Sequence, residues 1–83
     1  MAGYNTEIKH GQEIFHVQTQ DKSSPAHYIE SIIYKSGKVL SSRRKDYTSF
    51  LNQPNFQDII KQMIEDQHKE ILKEISEGKY DHL

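Results

Sequence analysis

Tyr28-Ile29-Glu30-Ser31-Ile32-Ile33-Tyr34-Lys35-Ser36-Gly37-Lys38-Val39-Leu40-Ser41-Ser42-Arg43-Arg44-Lys45 carries the architecture of this 83-residue chain. Its first eight residues are mostly β-branched or aromatic, Ser36-Gly37 offers a two-residue turn, and Lys38 to Lys45 returns, which together predict a β-hairpin. A two-residue turn pairs Ile33 with Leu40, Tyr34 with Val39 and Glu30 with Arg43. In that register both faces are apolar: Ile29, Ile33 and Leu40 lie on one, Tyr28, Ile32, Tyr34 and Val39 on the other. A strand of this kind is expected to sit centrally and to be covered from both sides.

Towards the N-terminus the same logic yields a second hairpin. Tyr4, Thr6 and Ile8 alternate with Asn5, Glu7 and Lys9, and Phe15, Val17 and Thr19 alternate within Glu13 to Gln20. Period two is the signature of a strand with one wet face. Gly11-Gln12 between them suits a turn needing positive φ at its first position, and it sets Ile8 opposite Phe15, Thr6 opposite Val17 and Glu7 opposite His16. Asp21 to His27, polar and proline-containing, reads as a loop long enough to leave the strand order open.

Towards the C-terminus the period changes. Asp46 to Asn52 is expected to turn Tyr47, Phe50 and Leu51 inward. Asn55 is a candidate N-cap, and Asp58 suits the positive end of a helix dipole. Phe56, Ile59, Ile60, Met63, Ile64, Ile71, Leu72 and Ile75 then recur at helical spacing, interrupted by Gln67 and His68, and Gly78 closes the run. The expected fold is α+β: two antiparallel β-hairpins forming a four-stranded sheet, followed by one long C-terminal amphipathic helix, ββββα. One domain is expected over residues 1–83, with the sheet at about 4–46 and the helix at about 55–77. Such a helix spans roughly 34 Å, and a strand of this sheet about 25 Å. The helix is therefore expected to overhang the sheet while covering only one of its faces.

Composition narrows the function classes. Only 34% of the residues are apolar and 28% are charged, so the core is small, and cores of this kind are often supplemented by a disulfide, a metal or self-association. There is no cysteine, which removes disulfides and thiolate metal sites. The net charge is −1, although residues 1–45 carry seven Lys/Arg against four Asp/Glu and residues 46–83 four against eight. Met1 to Lys9 has no apolar stretch and no run is long enough to cross a bilayer, so a cytoplasmic location without membrane contact is expected.

Chemistry finds little purchase. The five histidines show no metal-ligand spacing, the serines stand in no nucleophile turn and the four glycines are isolated. No catalytic residue, metal or cofactor is expected. Lys35, Lys38, Arg43, Arg44 and Lys45, with nearby tyrosines, are the candidate nucleic-acid contacts, but neighbouring strand residues face opposite ways and do not form one patch. The stronger expectation is a protein-binding or assembly module that pairs with itself, as a homodimer, or with another protein. Its expected surface comprises Tyr28, Ile32, Tyr34, Val39, Ile71, Leu72 and Ile75.

The stretch His16-Val17-Gln18-Thr19-Gln20-Asp21, with Glu30-Ser31-Ile32-Ile33-Tyr34, Ser36-Gly37 and Ser42-Arg43-Arg44, resembles a group of short bacterial proteins and domains. Those share a His-Val-Gln-Thr-Glu-Asp segment and a Glu-Ser-x-x-Tyr-x-x-Gly-x-x-Leu-x-Ser-Arg segment. Gln20 stands here where the pattern has its acid. The likeness covers roughly residues 4–47. It implies a bacterial cytoplasmic setting and carries over no activity and no site residue.

Overall fold

The computed structural model describes residues 3–83; Met1 and Ala2, part of the stretch read for a leader, lie outside the described residues. Four strands, β1 (Gly3–His10), β2 (Glu13–Asp21), β3 (Tyr28–Lys35) and β4 (Lys38–Asp46), form an antiparallel sheet in the order β1-β2-β3-β4. A one-turn segment α1 (Ser23–Ala26) joins β2 to β3, a 3-10 turn spans Thr48–Phe50, and the long helix α2 (Phe56–Ser76) follows. The ββββα order is the one expected. The β2–β3 connection, expected as a loop, is an irregular turn closed by His27 N–H donating to Ser23 O at 2.7 Å and by Lys22 N–H donating to Tyr28 O at 2.9 Å. This closure makes β3 pair with β2 rather than cross to the other edge.

The first hairpin has the register set by its turn: Ile8 opposes Phe15, Thr6 opposes Val17 and Glu7 opposes His16, with Gly11 at φ +62°. The second hairpin departs from expectation. Tyr34 does oppose Val39, but the register then slips between Ile33 and Tyr34, so Ile33 faces Ser41, Ser31 faces Arg43 and Glu30 faces Arg44. Leu40 is the extra residue of a β-bulge, which shifts every later side chain by one place. The expected pairs Ile33–Leu40 and Glu30–Arg43 are therefore corrected. The slip sends Arg43 towards α2 and leaves Arg44 to meet Glu30 on the opposite face, Nε to Oε2 at 2.9 Å.

Alternation decides what α2 covers. Phe15, Val17 and Thr19 on β2, and Ile29, Ser31 and Ile33 on β3, point to the helix and are buried. Two apolar clusters result. Phe15, Val17, Ile33, Ile71, Ile75 and Tyr80 pack at the C-terminal end of α2; Ile29, Tyr47, Ile60 and Ile64 pack at the other. Phe50, Leu51 and Phe56 close over the second cluster. At 21 residues α2 is roughly 31 Å long. The expected overhang is not bare, because the chain before the helix folds back beneath its first turns.

Asn55 precedes α2 without a side-chain capping bond, contrary to its expected role, while Asp58 does lie in the first turn. At the far end Gly78, at φ +80°, lets its N–H reach Ile75 O and lets Lys79 N–H reach Glu74 O. This is a Schellman closure. Replacing Gly78 by Ala is expected to destabilise the chain by about 1–2 kcal/mol, because a left-handed backbone penalises a Cβ. That Cβ would also meet the Asp81 carboxylate at 2.8 Å. Chemical denaturation of the variant measures it.

Candidate functional site

Since α2 covers one face, the opposite face of the sheet is open. Its rows follow from the register. Glu7, His16, Tyr34 and Val39 form one, and Asn5, Gln18, Ile32 and Ser42 the next. Val39 is 66% exposed and Ile14 50%; Ile32, Tyr34 and Tyr28 are half-buried by their neighbours. Apolar side chains on β3, with Ile14 on β2 and Val39 on the edge strand β4, thus share this face with polar His16 and Gln18 and with charges of both signs, Glu7 and Lys9 on β1 and Arg44 on β4. Ile14, His16, Gln18 and Tyr34 line a shallow concavity of about 500 Å³. His16 is positioned within it, with Nε2 3.2 Å from Asn5 Oδ1 and its ring edge-on to Tyr34 at 5.9 Å. Although Glu7 stands opposite His16 in register, Asn5 is the imidazole's hydrogen-bond partner.

The expected interaction surface divides on this geometry. Tyr28, Ile32, Tyr34 and Val39 do share the open face. Ile71 and Ile75 do not belong with them: both are fully buried in the chain's own core, and Leu72 packs partly buried against the same cluster. Their helical positions face the sheet rather than solvent. Ile14 is the residue the sequence reading missed. It follows Glu13 on the wet side of the first hairpin, and its exposure follows from the alternation already assigned there.

The basic hairpin is divided too. Arg43, on the helix side, places Nη2 2.8 Å from Glu74 Oε1 and 3.2 Å from the Tyr80 hydroxyl, and Nη1 3.6 Å from Glu70. The hydrogen bond from Arg43 holds the Glu74 carboxyl below its usual range, with a further contribution from the Tyr80 hydroxyl. Arg44, on the open side, binds Glu30 and lies over the Tyr28 ring at 4.8 Å. Lys35 reaches the Leu83 carbonyl at 3.2 Å, and Lys38 and Lys45 are exposed. Arg43, Arg44 and Lys45 border one cleft of about 280 Å³, but Asp66 and Glu70 line it too, so the fold sets carboxylates among these cations instead of gathering all five into one basic surface. Arg43→Ala is expected to cost about 1–3 kcal/mol, since it strips partners from a partly buried carboxylate and a buried tyrosine. Urea unfolding checks this.

Between the two apolar clusters lies a polar layer. Gln67 and His68, which break the helical stripe in sequence, both face the sheet and are buried. Gln67 Nε2 donates to Ser31 Oγ at 2.9 Å and to Arg43 O at 3.2 Å. Ser31 and Thr19 hydroxyls are 2.7 Å apart, Thr19 Oγ1 is 2.7 Å from His68 Nδ1, and Thr6 Oγ1 is 2.8 Å from His68 Nε2. Among the described residues no buried side-chain nitrogen or oxygen lacks a partner. One direction satisfies every member: Gln67 donates to Ser31, Ser31 to Thr19, and Thr19 to Nδ1 of a neutral imidazole whose Nε2–H donates to Thr6. Burial, with a smaller contribution from the His16 imidazole, pushes the His68 pKa down, in agreement with that assignment.

Comparison of the chain with protein-family models, with curated proteins and with solved structures found no match. Among the described residues no helix is long and apolar enough to cross a membrane, and no group of three or more His, Asp or Glu side chains is placed to hold a metal ion. The polar layer is enclosed and the basic hairpin is divided. The open sheet face carries the exposed apolar side chains Ile14 and Val39.

Proposed function

We propose that this chain is a non-catalytic assembly module of a bacterial cytoplasm that pairs with a second copy of itself through the open face of its sheet. The observation that carries the reading is the apolar group on that face, exposed Ile14 and Val39 beside half-buried Ile32 and Tyr34, with charges of both signs around it. An exposed apolar group bordered by polar residues marks an interaction surface. A four-stranded face of this length offers roughly 500 Å² on each copy, so about 1,000 Å² would be buried in total, at the lower bound for a specific complex. The rim carries both signs, so a second copy can be met without opposing like charges. Interfaces at this end of the size range are commonly transient, so weak and reversible pairing is expected.

Size-exclusion chromatography with light scattering tests this. A mass approaching twice 9.8 kDa at high micromolar concentration, falling on dilution, is expected. Lys substitutions at both Ile14 and Val39 are expected to leave a folded monomer, because the two side chains are already exposed in one copy. A monomer at every concentration overturns the reading. A nucleic-acid role for the basic hairpin is the weaker alternative, because Arg43 and Arg44 are engaged within the chain and on opposite faces.

A further inference from the structure

On the helix side of the sheet, remote from the open face, a cleft of about 490 Å³ lies between the β2–β3 connection and the segment leading into α2. Its walls include Asp21, Ser23, His27, Tyr47, Leu51 and Phe56. Its volume falls within the range of small-molecule sites. We propose that this cleft binds an organic cation of the arginine side-chain kind, a guanidinium on a short apolar stem, with the Asp21 carboxylate as its counter-ion.

Three independent features support the assignment. First, Asp21 carries an uncompensated charge. Its Oδ1 accepts from the Tyr47 hydroxyl at 2.5 Å and from Ser23 N–H at 2.7 Å, both neutral donors. Among the described residues Asp21 enters no ion pair, and no hydrogen bond reaches Oδ2. The adjacent cation, Lys22, turns instead to Glu30, 3.8 Å away. Second, the walls suit a cation with an apolar stem. The Tyr47 and His27 rings stand 6.1 Å apart at 52°, and Leu51 and Phe56 supply apolar surface. Half-buried Leu51 and Phe56 suit the stem, and a carboxylate with a free oxygen pairs with a planar, weakly hydrated guanidinium in preference to a neutral polar group.

Third, the cleft is built in advance. Ser23 and His27 hold φ of +49° and +54°, left-handed conformations that cost a non-glycine residue about 1–2 kcal/mol each. They are fixed by His27 N–H donating to Ser23 O at 2.7 Å and Tyr47 N–H donating to His27 O at 3.0 Å. Held this way, the loop keeps the shape of the cleft without a ligand. Nothing in the pairing of two open sheet faces requires this loop, so the inference stands apart from the proposed dimer.

The test is an amide-resolved NMR titration of the full chain with butylguanidinium, with Nα-acetyl-arginine methylamide, and with the citrulline analogue as neutral near-isostere. Saturable shifts at Ser23, His27 and Gln57 are expected with one or both cations. Binding by the citrulline analogue should be at least tenfold weaker. Asp21→Asn keeps an oxygen for Tyr47 and Ser23 but loses the charge; it should retain the thermal midpoint and lose at least tenfold in affinity. Preference for butylguanidinium identifies a free small cation, and preference for the capped residue a peptide side chain. Equal binding of arginine and citrulline analogues, undiminished binding by folded Asp21→Asn, or no saturable shift with either cation overturns the proposal.

Discussion

Replacing Ile71 by Ala is expected to remove about 2–5 kcal/mol of stability, the cost of deleting a buried branched side chain and leaving a cavity. Ile71 is fully buried among Phe15, Val17, Ile33, Ile75 and Tyr80, so relaxed neighbours can fill little of the space. A natural domain typically holds about 5–15 kcal/mol in all, and 83 residues place this one towards the low end. The variant should therefore approach the unfolding threshold. Its urea midpoint should fall sharply with an unchanged slope. Val39→Lys makes the informative contrast. On the exposed side of β4 it should shift stability by no more than about 0.5 kcal/mol while weakening association. Were Ile71→Ala to weaken association and spare stability, the placement of α2 on the sheet would be wrong.

Acid should destabilise the chain in two separable steps, the first belonging to His68. The folded protein holds this imidazole neutral, with its pKa below the ordinary 6.5. Below about pH 6.5 the unfolded chain takes up a proton that the folded one resists. Stability is thus complete above that pH and declines as the pH falls through the unfolded value towards the folded one. Protonation would require Nδ1 to donate to Thr19, turning the Thr19 hydroxyl towards Ser31 and leaving the Ser31 proton without an acceptor. The groups around the ring are Thr6 and Tyr4 on β1, Thr19 on β2, and Glu65, Gln67 and Lys69 on α2, with His16 across the sheet. None offers a carboxylate bond to an imidazolium.

The second step belongs to Glu74, whose depressed pKa contributes stability above the unfolded carboxylate range that is lost as the pH falls through its folded value. Denaturant midpoints measured from pH 8 to pH 3 should show both declines. His68→Gln should flatten the upper one and leave the lower one in place. A midpoint constant between pH 7 and 5 in the unsubstituted chain would contradict the neutral, enclosed imidazole.

Much of this architecture was legible because its causes are local. Alternation at Tyr4 to Ile8 and Phe15 to Thr19, turn chemistry at Gly11 and Ser36-Gly37, and the 3.6-residue recurrence from Phe56 to Ile75 each act over a few residues. The open face was legible in part, since Tyr28, Ile32, Tyr34 and Val39 alternate with residues that had to face the helix. Ile71 and Ile75 were misassigned because one apolar stripe serves equally to cover a sheet or to meet a partner. Gln67 and His68 looked like defects in that stripe. The matching hydroxyls at Thr19 and Ser31, inward-facing polar residues on the two central strands, were the available sign of a polar layer.

By itself the sequence determined the elements, their order, their turns and the alternation within each strand, because dihedral preference and side-chain period are properties of neighbouring residues. The tertiary structure alone decided the bulge at Leu40, the direction of Arg43 towards Glu74, the bonding of His68 between Thr6 and Thr19, and the cleft at Asp21. Apart from the bulge, each joins groups far apart along the chain, 62 residues in the case of Thr6 and His68. Such contacts arise where packed elements leave a donor facing an acceptor, and no local pattern of residues encodes that meeting.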